Sequence, residues 1–317
     1  MLSSRLPGLD DAEGERLPTA LPDVVDAHVH LFPDGVFRAL WRWFETHAWP
    51  VRYALYAEQV IHFQLSCGVK QLVALHYAHK PGMARELNAF VAALAAKHPQ
   101  VIGTATVFPG EEGAAEILRQ GFALGLRGVK LHAHVQCVAI DDPRMEPVIA
   151  ACLEADVPLV IHAGREPKSA AYGCDPYAIC SADRVEQVLR SWPKLKLCVP
   201  HLGADEFGAY TRLLERYDNL WLDTTMALAG FLPGPVPLPM LSVRPDRVLY
   251  GTDFPSLPYA WDREVKVLAG AGLKEEALAG VLGANARRLF GDLYISKAQS
   301  YILLRCQSIW SRSTLSS

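Results

Sequence analysis

The chain has 317 residues, half of them hydrophobic and about a fifth charged, enough for one large α/β domain and too apolar for a disordered chain. With 31 Lys and Arg against 34 Asp and Glu the net charge is −3, which leaves no basic footprint for nucleic acid or an anionic membrane. No stretch reaches the roughly 18 uncharged apolar residues of a membrane span, and the opening MLSSRLPGLDDAEGERLP lacks a secretory core, so the cytoplasm is the expected compartment.

Residues 1–21 are polar and Pro/Gly-punctuated and read as a loose N-terminal lead. From there a pattern starts and repeats. Short β-rich runs occur at VVDAHVH (24–30), KQLVALHY (70–77), VIGTATVF (101–108) and LRGVKLHAH (126–134). They continue at PLVIHAG (158–164), LKLCVPHLG (195–203), LWLDTT (220–225) and RVLYGTDF (247–254). Amphipathic helical stretches lie between them at 83–98, 111–125, 143–156, 181–192 and 204–218, with Ser181 and Glu111 placed to cap two of them. Closing helices are expected to about Gly291, and 292–317 is read as a C-terminal extension.

Eight strands alternating with helices imply parallel pairing, because each crossover needs a dozen or more residues and a helix supplies them. The first strand runs into HVHLFPDG without the GxGxxG of a nucleotide-binding open sheet. The expected fold is therefore a single-domain α/β protein over 22–291, a (β/α)8 TIM-type barrel. Seven cysteines, an odd count without a CxxC pair, read as reduced thiols.

In a parallel barrel every strand ends at one face, and that face carries the active site. Here strand one ends in His28 and His30, strand four in Lys130 and His132, strand five in His162, strand six in His201 and strand eight in Asp253. Residues two apart on a strand share a face, so His28 and His30 both point into the mouth. Eleven His in 317 residues would give roughly 0.4 HxH pairs by chance, and the chain has two. A single His on an apolar strand is usually a satisfied core residue. Four or five packed dry at one rim would leave several hydrogen bonds unmet, whereas one divalent ion satisfies them together. Imidazole and carboxylate donors without thiolate suit a catalytic Zn²⁺, with Mn²⁺, Fe²⁺ or Co²⁺ as alternatives. Asp253 can both touch such an ion and accept a proton from its water.

The motifs DAHVHLFP, GVKLHAH, VIHAG, VPHLG and YGTDFP, each at its own strand end, resemble the amidohydrolase superfamily. The closer resemblance is to the amidohydrolase-2 group that includes aminocarboxymuconate-semialdehyde decarboxylase-like enzymes, over about Asp23 to Gly291. It implies a TIM-type barrel and metal binding by His28, His30, His162 and Asp253. It also implies that His201 polarises the substrate or ligates a second metal. In binuclear relatives a strand-four Lys is carboxylated and bridges two ions, and Lys130 stands at that place; the amidohydrolase-2 group implies one ion and an uncarboxylated Lys130.

His132 shares the face of Lys130 and is a candidate to reach the substrate. Arg165, in the loop after strand five, is a candidate to hold a substrate carboxylate. Asp223 is read as positioning a ring nitrogen of His201 or a substrate amine, and the aromatic cluster WRWFETHAW (41–49) as core packing or a roof over the pocket.

The leading functional reading is a metal-dependent hydrolase in which activated water attacks a C–N or C–O bond of a small organic substrate. Asp253 then shuttles the proton and His201 stabilises oxyanion charge. The alternative on the same site is a metal-dependent non-oxidative decarboxylase. A different class, a barrel that binds a metabolite or metal without turnover, stands as the contrast. A small-molecule substrate is the expected partner, and pairing of two barrels into a homodimer is left open.

Overall fold

The computed structural model describes residues 11–232, 234 and 237–291. Eight strands run in chain order: β1 (Val25–His30), β2 (Gln71–Leu75), β3 (Val101–Gly103), β4 (Val129–His132), β5 (Leu159–His162), β6 (Leu197–Val199), β7 (Leu220–Asp223) and β8 (Val248–Leu249). All pairings are parallel, in the orders β1-β2-β3 and β4-β5-β6-β7-β8. Two bridges join these arcs, Ala105 with Val129 and Val29 with Phe254, and so close a single-domain TIM-type barrel.

The helices that carry the crossovers are α1 (Asp34–His47), α2 (Ala57–Ser66), α3 (Ala84–Lys97), α4 (Ala114–Ala123), α5 (Ala133–Gln136) and α6 (Glu146–Glu154). They continue with α7 (Pro176–Ile179), α8 (Ala182–Ser191) and α9 (Phe207–Arg216), and after β8 come α10 (Arg263–Ala269), α11 (Glu275–Ala279) and α12 (Asn285–Phe290). Apolar residues of strands and helices form the outer core layer. Val25, Ala27, Val73, Ile102, Val160 and Leu249 form an inner layer, closed by Ala286, Leu289 and Phe290 of α12.

Simple alternation would set Val25 and Ala27 on the face opposite His28. A β-bulge between Asp26 and Val29 removes the conflict: Val25 and Ala27 belong to the inner core, and His28 and His30 still line the cavity. Two expected strands are shorter than their apolar runs. After Gly103 the hydroxyls of Thr104 and Thr106 bond the carbonyls of Ala74 and Lys130, in place of a regular ladder. After Leu249 the chain turns away through Asp253, whose φ is 75°. Strand four stops at His132, and His134 rides on α5 instead.

Ser181 caps α8 as expected, accepting from the Arg184 backbone N–H at 3.2 Å. Glu111 does not cap α4. Its carboxylate takes the backbone N–H groups of Phe108 and Gly82, and Gly113 precedes the helix. Residues 11–21 hold no helix or strand, yet Asp11 pairs with Arg263 at 2.8 Å and Leu17 N–H donates to the Cys67 carbonyl at 2.7 Å. The expected C-terminal extension lies outside the described residues. Among the described residues no helix is long and apolar enough to cross a membrane.

Candidate metal centre and cavity

Three side chains from the two ends of the chain meet at the barrel mouth. The ligand atoms of His28, His30 and Asp253 lie within 4.8 Å of one another, the one such group among the described residues. Asp253 Oδ1 is 2.8 Å from His30 Nε2 and 3.3 Å from His28 Nε2. Lys130 Nζ stands 3.4 Å from His28 Nε2.

The far side of each ring fixes its tautomer. His30 Nδ1 faces the Leu75 carbonyl at 2.8 Å, a group that only accepts, so this nitrogen carries the hydrogen. His28 Nδ1 faces Asp223 Oδ2 at 2.8 Å. Burial pushes the Asp223 carboxyl up, but the adjoining His28 ring with its hydrogen bond, then His201 and Thr225, outweigh it and hold the group at about 2, so it accepts as well. Both Nε2 atoms are therefore bare lone pairs turned toward Asp253. Burial raises the Asp253 carboxyl too; the adjoining His30 and the nearby His28 and His201, which share a proton with it while no ion is bound, outweigh this and keep it ionised. Two lone pairs and an anion converging on one point demand a cation. Lys130 Nζ, at 3.4 Å, can serve only the His28 lone pair and a shared proton one more, whereas a divalent ion serves all three, so these donors fit a metal.

His162 sits beside this trio rather than in it. Its Nε2 faces the Glu166 carbonyl at 3.1 Å, and its Nδ1 lies 3.1 Å from His201 Nε2. His201 Nδ1 donates to the Thr225 carbonyl at 2.8 Å. The facing nitrogens of His162 and His201 are thus both acceptors, with no hydrogen between them while both rings are neutral. Burial lowers the pKa of both rings, and His132 and His134 press His162 down further.

Asp223 does more than expected. Besides holding His28 Nδ1, it accepts from the backbone N–H of His201 at 3.0 Å and of Thr225 at 3.2 Å. It orients the His28 ring and the His201 main chain, while the His201 ring is set by Thr225. Burial lowers Lys130 to about 8, against the pull of Asp223 and Asp253. Gly251 allows the close packing here: a Cβ there would lie 2.5 Å from Thr225 Oγ1 and 2.7 Å from His28 Cβ.

A cavity of about 520 Å³ opens above the trio. His132 lines it, stacked on His162 with centroids 4.3 Å apart, and its Nδ1 has no hydrogen-bond partner among the described residues. Phe32, Trp43, Phe44, Trp49, Tyr77 and Tyr172 supply flat walls, so much of the aromatic cluster after strand one does roof the pocket. Trp43 reaches across to Tyr172 at 5.4 Å between centroids.

Arg165 is a correction. It does not line the cavity: its Nε donates to the Cys180 carbonyl at 3.0 Å, lies 3.4 Å from Glu206, and its guanidinium stacks on Tyr177. Those outward partners leave it no reach to a substrate carboxylate.

The amidohydrolase family profile matches residues 25–291. The chain belongs to the amidohydrolase family. No curated protein matches it. Among solved structures this amidohydrolase is similar to 5-carboxyvanillate decarboxylase from Sphingomonas paucimobilis, at 20% identity and TM-score 0.62 over 84% of this chain and 98% of that one. It is also similar to 2,6-dihydroxybenzoate decarboxylase from Rhizobium, at 16% identity and TM-score 0.62 over 85% and 99%. A third likeness is to an uncharacterised TIM-barrel protein from Bordetella bronchiseptica, at 20% identity and TM-score 0.66 over 86% and 99%. These likenesses agree with the barrel.

Sequence reasoning passed over Asp26, buried under the trio, and the Leu75 and Thr225 carbonyls. Asp26 stands in the DAHVH motif itself, a signal for its place beside His28 and His30. A backbone carbonyl leaves no such signal.

Proposed function

We propose that this amidohydrolase is a metal-dependent carboxy-lyase that releases CO2 from a small, flat carboxylic acid. The observation that carries the reading is the cavity: aromatic walls lead down to His28, His30 and Asp253, and Lys130 and Asp253 are the sole Lys, Arg, Asp or Glu on its described lining. Such a space suits a planar ring with one acidic group. The family match supports a metal-dependent enzyme without choosing between hydrolysis and decarboxylation, and the aromatic walls leading to a single lysine favour the second. The two decarboxylases among the similar structures are consistent with this choice.

In this reading one ion is held by Nε2 of His28, Nε2 of His30 and the Asp253 carboxylate, with His162 alongside. Zn²⁺ is the first choice and Mn²⁺ the second, since a similar decarboxylase from Novosphingobium aromaticivorans was solved with manganese. When bound, the ion supplies a Lewis-acidic point that fixes the substrate's oxygens. The aromatic walls orient the ring and exclude water. Lys130 faces the acidic group and His132 stacks beside it. Asp253 relays a proton taken up from the medium to the carbon that loses CO2, so an acid anion and a proton become an arene and CO2. The cytoplasm remains the proposed site of action.

Metal-loaded protein incubated with 2,6-dihydroxybenzoate, 5-carboxyvanillate and a set of amides and lactones tests the proposal. CO2 release from an aromatic acid without ¹⁸O uptake from labelled water is the expected result. Incorporation of ¹⁸O into amide or lactone products with no CO2 from any acid overturns it in favour of hydrolysis.

A further inference from the structure

Asp253 holds its place among the ligands in a backbone conformation that L side chains disfavour, with φ at 75°. The hydrogen bonds on either side of it show what keeps it there. Thr252 N–H donates to Asp26 Oδ1 at 3.1 Å, and Thr252 Oγ1 donates to Asp26 Oδ2 at 2.6 Å. The same Thr252 hydroxyl accepts from Phe254 N–H at 3.0 Å. Asp253 N–H itself donates to the His28 carbonyl at 2.9 Å.

Asp26 is also tied to the other ligand strand. Its Oδ1 accepts from His28 N–H at 3.1 Å, and its Oδ2 from Gln64 Nε2 of α2 at 3.3 Å. Four donors occupy this carboxylate, which is fully buried and does not line the cavity. It touches neither substrate nor the ligand atoms. One of its oxygens bonds the N–H of His28 and the N–H that precedes Asp253, across 226 positions of sequence.

We propose that Asp26, acting through the Thr252 hydroxyl, is the positioning residue that sets Asp253 against His28 and His30 and so tunes metal affinity. The inference rests on the reading that these three residues hold the ion. Thr252 is the relay: its one side-chain oxygen bonds the residue after Asp253 and the carboxylate of Asp26 on β1. Without that hydroxyl, the turn at Asp253 loses the bond to Asp26 Oδ2 and the one from Phe254 N–H and keeps only its backbone bonds to Asp26 Oδ1 and the His28 carbonyl, while the rest of the barrel keeps its packing.

The test is Co²⁺ binding, followed by its visible absorption spectrum and by competition with a chelator, with melting of the metal-free proteins alongside. T252V keeps the shape and removes the hydroxyl; it is expected to bind Co²⁺ about 10- to 100-fold more weakly with a changed spectrum. T252S keeps the hydroxyl and is expected to bind within about threefold of wild type with the wild-type spectrum. D26N, which turns one acceptor into a donor facing Thr252 or Gln64, is expected to follow T252V and stands in for it if T252V does not fold. Wild-type affinity in T252V or D26N, whatever their melting temperatures, overturns the proposal, as does a T252S as weak as T252V. A wild type that binds no metal overturns this inference and the metal reading together. A wild type that binds metal but releases no CO2 overturns the proposed reaction and leaves this inference standing.

Discussion

Replacing Asp223 with Asn exposes how the centre is held. Both His28 and Asp223 are 1% exposed, and the ring nitrogen lies 2.8 Å from one carboxylate oxygen. The other oxygen accepts two backbone N–H groups, from His201 and Thr225. An Asn has one acceptor where the Asp has two. If its oxygen serves the backbone, its NH2 faces His28 Nδ1, which must give up its hydrogen. That hydrogen moves to Nε2, the atom turned toward Asp253, and the metal loses a lone pair. If the oxygen serves the ring instead, two buried backbone donors are left facing an NH2. A charge-assisted hydrogen bond of this kind contributes about 1.5–3 kcal/mol, which corresponds to roughly 10- to 150-fold in affinity. Isothermal titration of the metal-free D223N protein with Mn²⁺ and Zn²⁺ should show a loss in that range. Wild-type affinity in a folded D223N protein would refute the tautomer argument, and with it the claim that Asp223 presents His28 to the ion.

Other consequences follow from the same geometry. Lys130 titrates at about 8 in the folded protein against 10.5 as a free side chain, so the unfolded chain binds more protons between those values. The metal-free protein should therefore gain stability as pH rises from about 8 to about 10.5, by up to about 3 kcal/mol, and Lys130→Met should flatten that part of the curve in denaturant titrations. A rise that persists unchanged in K130M would count against it. Gly251→Ala drives a methyl into Thr225 and His28 and should cost about 1–3 kcal/mol, read as a lowered melting temperature together with weakened metal binding. Arg165→Ala removes a side chain whose partners face away from the cavity, and should change kcat/KM for the identified substrate by less than about threefold. A loss of a hundredfold there would restore Arg165 as a substrate ligand.

The barrel was legible because its signal is carried by many residues at once: alternating apolar runs and helical stretches of the right length leave few ways to pair. The mouth was legible for a related reason, since polar residues at the ends of otherwise apolar strands have no packing role there. His28, His30 and Asp253 stood out in this way and do converge. What the letters hid is backbone detail. The bulge at Asp26 to Val29 reorders which side chains face inward, and nothing in DAHV announces it. The left-handed turn at Asp253 shortens β8, although the apolar run suggested a longer strand. Arg165 was misread because proximity to His162 in sequence says nothing of Glu206 and the Cys180 carbonyl, which claim it from a later loop and turn. Asp223 was seen as a helper of a histidine, but its ring partner is His28, 195 positions away.

A crystal structure of the Mn²⁺-loaded protein, with anomalous diffraction recorded to locate the ion, measures the convergence of these ligands most directly. The account predicts one strong peak per chain bonded to Nε2 of His28, Nε2 of His30 and the carboxylate of Asp253. A peak bonded to other residues, or none at the barrel mouth in protein soaked with excess metal, would contradict it.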